Sequence, residues 1–86
     1  MDYSDSAIKT SPLNAIPYGV TTRVVGIGGT GAIARRLMEM GVVPGAPIRV
    51  IRTAPLGDPI VVSIRNYQLA LRQGEAQMIT VMADAE

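Results

Sequence analysis

Short runs in which hydrophobic and polar residues alternate predict five β-strands in this chain. The alternation is clearest in the third run, where Ile60, Val62 and Ile64 would face one side of a strand and Ser63 the other. The five predicted strands cover residues 20–27, 48–54, 60–65, 69–71 and 79–81. Because most of the segments between them are short, we expect the strands to pair in an antiparallel sheet.

A different spacing predicts one helix between the first and second strands. Ile33, Leu37 and Met40 recur after four and then three residues, which places them on one helix face. The charged residues on the remaining faces are Arg35, Arg36 and Glu39. Gly41 is expected to end the helix in the left-handed conformation that glycine adopts readily. We therefore expect Leu37 and Met40 to pack in the core.

Glycine, proline and asparagine residues mark the turns between these elements. The dipeptide Gly28-Gly29 interrupts the first strand before the helix. The dipeptide Pro44-Gly45 is typical of the central residues of a type II turn, in which proline presets φ and glycine accepts a positive φ. A proline-bounded loop at residues 55–59 is expected to return the chain as a hairpin, and Asn66 to adopt a left-handed turn conformation.

Five short strands with one α-helix inserted after the first strand predict a mainly β protein. The expected fold is a small SH3-like, five-stranded antiparallel barrel, and the alternative is an OB-like barrel. A chain of 86 residues has room for one domain. We expect a flexible leader at residues 1–11, because it lacks apolar periodicity, then the domain at residues 12–82 and a short tail at residues 83–86.

The composition argues against catalysis and against bound metal or cofactors. The chain has no His and no Cys. Glu39, Asp58 and Glu75 lie on three separate predicted elements, so local geometry pairs no two of them for acid–base chemistry or metal ligation. A GxGxxG match at residues 26–31 lacks the parallel βαβ unit and the acidic residue that a dinucleotide site requires. We expect no enzyme activity, no catalytic or metal-binding residue and no cofactor.

The distribution of charge predicts a mildly basic face. Between residues 20 and 81, seven arginines stand against three carboxylates, a net charge of +4, whereas the whole chain carries +1. Arginine suits bidentate contact with carboxylate or phosphate groups, so nucleic-acid binding is the alternative function. Three Tyr, no Phe and no Trp offer no stacking surface for bases, and we therefore expect no nucleic-acid partner. No run of about 20 apolar residues predicts insertion into a membrane.

An ordered set of motifs between residues 12 and 81 resembles one protein family. The motifs are, in order, Pro12-Leu13 before Gly19, Ile27-Gly28-Gly29, Arg36-Leu37-Met38-Glu39-Met40-Gly41, Pro44-Gly45, Ala54-Pro55-Leu56-Gly57-Asp58-Pro59, Leu69-Ala70-Leu71-Arg72, Glu75-Ala76 and Ile79-Thr80-Val81. On these residues the chain is similar to the FeoA family, ferrous iron transport protein A, which accompanies the membrane transporter FeoB. The same SH3-like domain resembles the C-terminal domain of iron-dependent repressors.

The resemblance implies a cytoplasmic, non-enzymatic accessory protein of ferrous iron uptake. It implies a FeoB-type transporter as partner, with an effect on the GTPase activity or the assembly of that transporter. From the apolar loop tip and the helix faces turned away from the core, we expect contact residues Arg35, Arg36, Glu39, Pro55, Leu56, Asp58 and Pro59. Structural roles are expected for Gly28, Gly29, Leu37, Met40, Gly41, Pro44 and Gly45. Self-association and a regulatory domain of the repressor type are the remaining alternatives.

Overall fold

Six antiparallel strands form one sheet in the computed structural model, which describes residues 9–29 and 31–83. The strands are β1 (Thr10–Pro12), β2 (Thr21–Ile27), β3 (Pro47–Thr53), β4 (Ile60–Ile64), β5 (Tyr67–Leu71) and β6 (Ile79–Ala83). The helices are α1 (Ala32–Glu39) and α2 (Gln73–Gln77), and a short 3-10 helix spans Leu13–Ala15. The order across the sheet is β1-β6-β2-β3-β4-β5, so the C-terminal strand lies between the first two.

The fold class expected from the sequence is confirmed. The protein is mainly β, with one main helix after β2, and the sheet is of the SH3-like kind, although it is not closed into a complete barrel. The five predicted strands correspond to β2 through β6, with ends that differ by one or two residues. Tight connections between β3, β4 and β5 give the consecutive antiparallel pairing that the alternating pattern indicates.

A sixth strand, β1, was not expected. Thr10 pairs with Met82 and Pro12 with Thr80, so residues 10 and 11 belong to the sheet although the sequence placed them in the leader. The segment is polar and only three residues long, and its conformation depends on a partner strand about 70 residues away. Local sequence carries no signal for such pairing. Residues 1–8 and 84–86 of the predicted leader and tail lie outside the described residues.

The inner faces of the strands and one face of α1 enclose a single aliphatic core. In β4 the alternation is regular: Ile60, Val62 and Ile64 are buried, whereas Val61 and Ser63 are half-buried. Other members of the core are Leu13, Val24, Leu37, Val42, Ile48, Val50, Leu71, Ile79 and Val81. Burial of these side chains is the main source of stability for a domain this small.

The buried face of α1 is rotated from the expected one. Leu37 is fully buried and Met40 packs against the core, but Ile33, which the spacing placed on the same helix face, is 46% exposed. Ala34 is buried instead. Successive helix residues are 100° apart, and the buried stripe is centred between Ala34 and Leu37, which leaves Ile33 and Met38 at its two borders. A small residue such as alanine lets the helix approach the sheet closely. The spacing of large hydrophobic residues does not predict this contact.

The turns after α1 follow the predicted geometry. Gly41 has φ +103° and Gly45 has φ +88°, values that favour glycine. The Ala46 N–H donates to the Val43 carbonyl at 3.0 Å, which closes the type II turn at Pro44-Gly45. In the β4–β5 turn, however, the residue with positive φ is Arg65, at +54°, and Asn66 was the wrong choice.

Candidate functional site

The β3–β4 loop is a closed turn with an apolar tip. The Gly57 N–H donates to the Ala54 carbonyl at 2.7 Å, and the Ala54 N–H donates to the Pro59 carbonyl at 2.9 Å. These two bonds hold the loop together at its base. Leu56, at the tip, is 96% exposed. A fully exposed leucine contributes nothing to the core, so its position indicates a role in binding another molecule.

Helix α2 anchors this loop from the side. The Gln73 N–H donates to Asp58 Oδ1 at 3.0 Å, and Gln73 Nε2 donates to the Gly57 carbonyl at 2.5 Å. The Gln73 side chain also accepts a hydrogen bond from Asn14 Nδ2 at 3.2 Å. The Asp58 side chain lies at the start of α2, where free backbone N–H groups attract a carboxylate. This contact fixes the loop relative to the sheet.

A second connection joins α1 to α2. Arg36 and Glu75 form an ion pair, in which the Arg36 side chain is 56% exposed and the Glu75 side chain only 13%. Glu75 Oε1 also accepts a hydrogen bond from the Arg72 N–H at 2.9 Å. The Glu75 carboxylate thus accepts a hydrogen bond from a backbone N–H at the start of α2 and also binds Arg36 of α1. The ion pair positions Arg36 between the two helices.

These connections enclose a polar cleft of about 450 Å³. Its lining residues are Arg36, Asp58, Pro59, Ala70, Arg72 and Glu75. Two arginines and two carboxylate residues line it, so the cleft carries both signs of charge. Such an arrangement suits a polar surface with complementary donors and acceptors, rather than an isolated ion.

The structure brings together only part of the contact surface expected from the sequence. Arg36, Asp58 and Pro59 line the cleft, and the exposed Pro55 and Leu56 lie on the same loop as two of them. The other two expected contact residues, Arg35 and Glu39, are exposed on α1, but neither lines the cleft. Arg35 instead borders a separate groove of about 330 Å³, together with Met38 and Pro44.

Three residues of this region were missed at the level of sequence. Arg72 and Glu75 line the cleft, and Gln73 holds the loop. The spacing of Arg72 and Glu75 carried a usable signal, because a glutamate three residues into a helix reaches back to the backbone N–H that precedes the helix. The ion pair with Arg36 carried none, since the two residues are 39 positions apart.

The described residues contain neither a metal-binding cluster nor a membrane-spanning helix. Among residues 9–29 and 31–83, no three carboxylate, imidazole or thiol side chains come close enough together to hold a metal ion. Within the same part of the chain, no helix is both long and apolar enough to cross a bilayer.

The chain is similar to the FeoA domain family and to a transport fusion protein. The model of the FeoA domain family matches residues 11–83. The Fe(2+) transport protein A/Fe(2+) transporter FeoB fusion protein of Porphyromonas gingivalis is 36% identical over 69 residues. That alignment covers 80% of this chain but only 8% of the fusion protein, so the chain corresponds to a small part of that relative.

Solved structures extend the likeness to three dimensions. The FeoA-like protein of Clostridium acetobutylicum is 37% identical, with a TM-score of 0.82 over 92% of each chain. A manganese-dependent transcriptional repressor matches with a TM-score of 0.80 over 88% of this chain and 37% of its own, at 23% identity, which supports the expected fold relation to repressors. Because the family model spans nearly all of the described residues, and a FeoA-like protein that aligns over 92% of both chains shares the fold at 37% identity, this chain belongs to the FeoA domain family.

Proposed function

We propose that this chain is a non-enzymatic, cytoplasmic accessory component of ferrous iron uptake that docks on a FeoB-type transporter through protein–protein contacts. The fusion protein of Porphyromonas gingivalis supports a FeoB-type transporter as the partner, because it joins a segment similar to this chain to a FeoB transporter in one polypeptide. Covalent linkage keeps two partners at high effective concentration, which is useful when their contact is weak.

The exposure of Leu56 is the observation that carries the docking hypothesis. Burying one leucine against a partner stabilises a complex by about 1.5–3 kcal/mol. The loop is already ordered by its internal hydrogen bonds and by Gln73, so docking would lose little conformational entropy. Leu56 is therefore the hydrophobic anchor of the proposed contact, with Pro55 beside it.

The polar cleft supplies the directional part of the same contact. Arg36, Asp58 and Arg72 present charges of both signs next to the loop, and paired charges at an interface select a partner and its orientation. Arg35 and Glu39 extend the proposed surface along α1. A partner that binds both the tip and the cleft would be held in one orientation.

Any effect on GTP hydrolysis would arise from this contact. The chain has no His and no Cys, so it offers the transporter neither an imidazole nor a thiolate for chemistry. A docking protein changes a GTPase when it binds one nucleotide state more tightly than another, and it then shifts the population toward that state. The same preference would favour assembly of the transporter if the tighter state is the assembled one.

The test measures binding and GTP hydrolysis with a purified FeoB-type transporter. Leu56→Ser should weaken binding about tenfold or more, the equivalent of losing at least about 1.4 kcal/mol. Val25→Ser is the matched control, because Val25 is also an exposed aliphatic residue but lies on β2, away from the loop. If the wild-type chain does not bind in any nucleotide state, the docking hypothesis is wrong. If the wild-type chain binds and both variants bind like it, the location of the contact at Leu56 is wrong.

A further inference from the structure

The outer face of the sheet, opposite the core, carries a row of polar side chains across three strands. Thr21 on β2 pairs with Arg49 on β3, and Arg49 pairs with Ser63 on β4. The neighbours of these residues along their strands, Thr22, Ile48, Val50, Val62 and Ile64, are all buried on the opposite face. Because strand side chains alternate, the two hydroxyls and the guanidinium group lie side by side on the surface.

A small concavity of about 120 Å³ forms at this row. Besides Thr21, Arg49 and Ser63, its lining includes Arg65 from the β4–β5 turn. The remaining lining residues are Pro47 and Ile48. Two arginines and two hydroxyl-bearing residues therefore line one depression, and all four side chains can donate hydrogen bonds.

The arginines of this depression have no carboxylate partner among residues 9–29 and 31–83. Neither Arg49 nor Arg65 forms an ion pair with a carboxylate of the described chain, whereas Arg36 does so with Glu75. The three described carboxylates belong to α1, the β3–β4 loop and α2. The outer face thus concentrates positive charge, unlike the polar cleft, where both signs are balanced.

The backbone at Arg65 adds an independent observation. Its φ of +54° lies in the left-handed region, which residues other than glycine and asparagine adopt at a cost. Asn66, which would tolerate this conformation, is the adjacent turn residue. A two-residue hairpin loop between the paired residues Ile64 and Tyr67 uses a positive φ of this kind, and the turn places Arg65 at the edge of the depression.

We propose that Arg49 and Arg65, with the hydroxyls of Thr21 and Ser63, bind the phosphate of an anionic phospholipid headgroup. A phosphate accepts several hydrogen bonds at once and forms bidentate contacts with arginine. The depression, with a volume of about 120 Å³, is of a size that suits a single phosphate group. It also has no aromatic lining residue on which a base could stack, which favours a lipid over RNA.

Binding of this kind would place the outer face of the sheet on the membrane surface. Each arginine near an anionic bilayer contributes about a fivefold increase in partitioning, and salt weakens the attraction. The contact is separate from Leu56 and the polar cleft, so it does not require docking on the transporter. It leaves those surfaces available while the chain lies on the bilayer.

The first experiment is co-sedimentation with phosphatidylglycerol-containing vesicles and with pure phosphatidylcholine vesicles at about 50 mM salt. The double variant Arg49→Gln, Arg65→Gln should lose about 25-fold in binding to the anionic vesicles, following the fivefold value for each arginine. The matched control is Arg35→Gln, Arg72→Gln, which removes the same charge from other surfaces and should lose less than about threefold. Equal losses in the two double variants would overturn the site in favour of general charge attraction.

The second experiment uses the wild-type chain and so does not depend on the folding of a variant. Titration with inorganic phosphate, followed by NMR, should shift the amide signals of Thr21, Arg49, Ser63 and Arg65. Shifts without vesicle binding would support the phosphate site but overturn the lipid as its source. No shifts and no binding to anionic vesicles would overturn the whole proposal, and tighter binding to a single-stranded RNA than to the vesicles would overturn the lipid assignment.

Discussion

Two substitutions on α1 test whether the helix is oriented as described. Leu37 is fully buried, whereas Ile33, one turn earlier, is 46% exposed. Leu37→Ala removes three carbon atoms from the core, and at about 0.8 kcal/mol each their transfer to water costs about 2.4 kcal/mol. The cavity left behind adds to this, so the total loss should be about 3 kcal/mol, within the range of about 2–5 kcal/mol typical of such changes.

Ile33→Ala is the matched control for this experiment. The side chain is already half in water, and alanine is the better helix former, so the loss should be below about 0.5 kcal/mol. Urea unfolding measures both values, and thermal unfolding should show a fall of about 12–24 °C for Leu37→Ala alone. A loss below about 1 kcal/mol at Leu37, or equal losses at the two positions, would refute the helix orientation.

Further predictions concern the turns and the ion pair. Gly45→Ala should cost about 1 kcal/mol in urea unfolding, because φ is +88° and nothing lies within 4 Å of the added Cβ. Gly41→Ala should cost more, because its φ of +103° lies further from the left-handed region that alanine can adopt, and equal losses would contradict this difference. A double-mutant cycle between Arg36→Gln and Glu75→Gln should give a coupling energy of about 0.2–1 kcal/mol that falls in 1 M salt; no salt dependence would argue against an ion pair.

Most of the sheet could be predicted from the sequence because its signals are local. Alternation in β4 and the turn chemistry of Pro44-Gly45 each depend on a few adjacent residues. The features that could not be predicted depend on distant contacts. Strand β1 exists only through its pairing with β6, and the orientation of α1 depends on how closely Ala34 approaches the core.

The candidate site divides in the same way. The exposed tip at Leu56 follows from the proline-bounded loop, and the arginines of α1 follow from helix spacing. The cleft behind the tip could not be predicted, since Arg36 meets Glu75 only after the sheet has formed. The location of Arg49 and Arg65 at one depression of the outer sheet face could not be predicted either. A sequence gives the number of charged residues but not their positions in space.

The measurement that tests the central claim most directly is an NMR titration of the labelled chain with a detergent-purified FeoB-type transporter. The account predicts that backbone signals of residues 55–59 and 72–77, together with Arg36, shift or broaden, whereas those of Thr21 and Ser63 on the outer face do not. The titration is repeated with the transporter in each nucleotide state. Unchanged signals in every state would contradict docking on the transporter, and changes confined to the outer face would contradict the surface assigned to it.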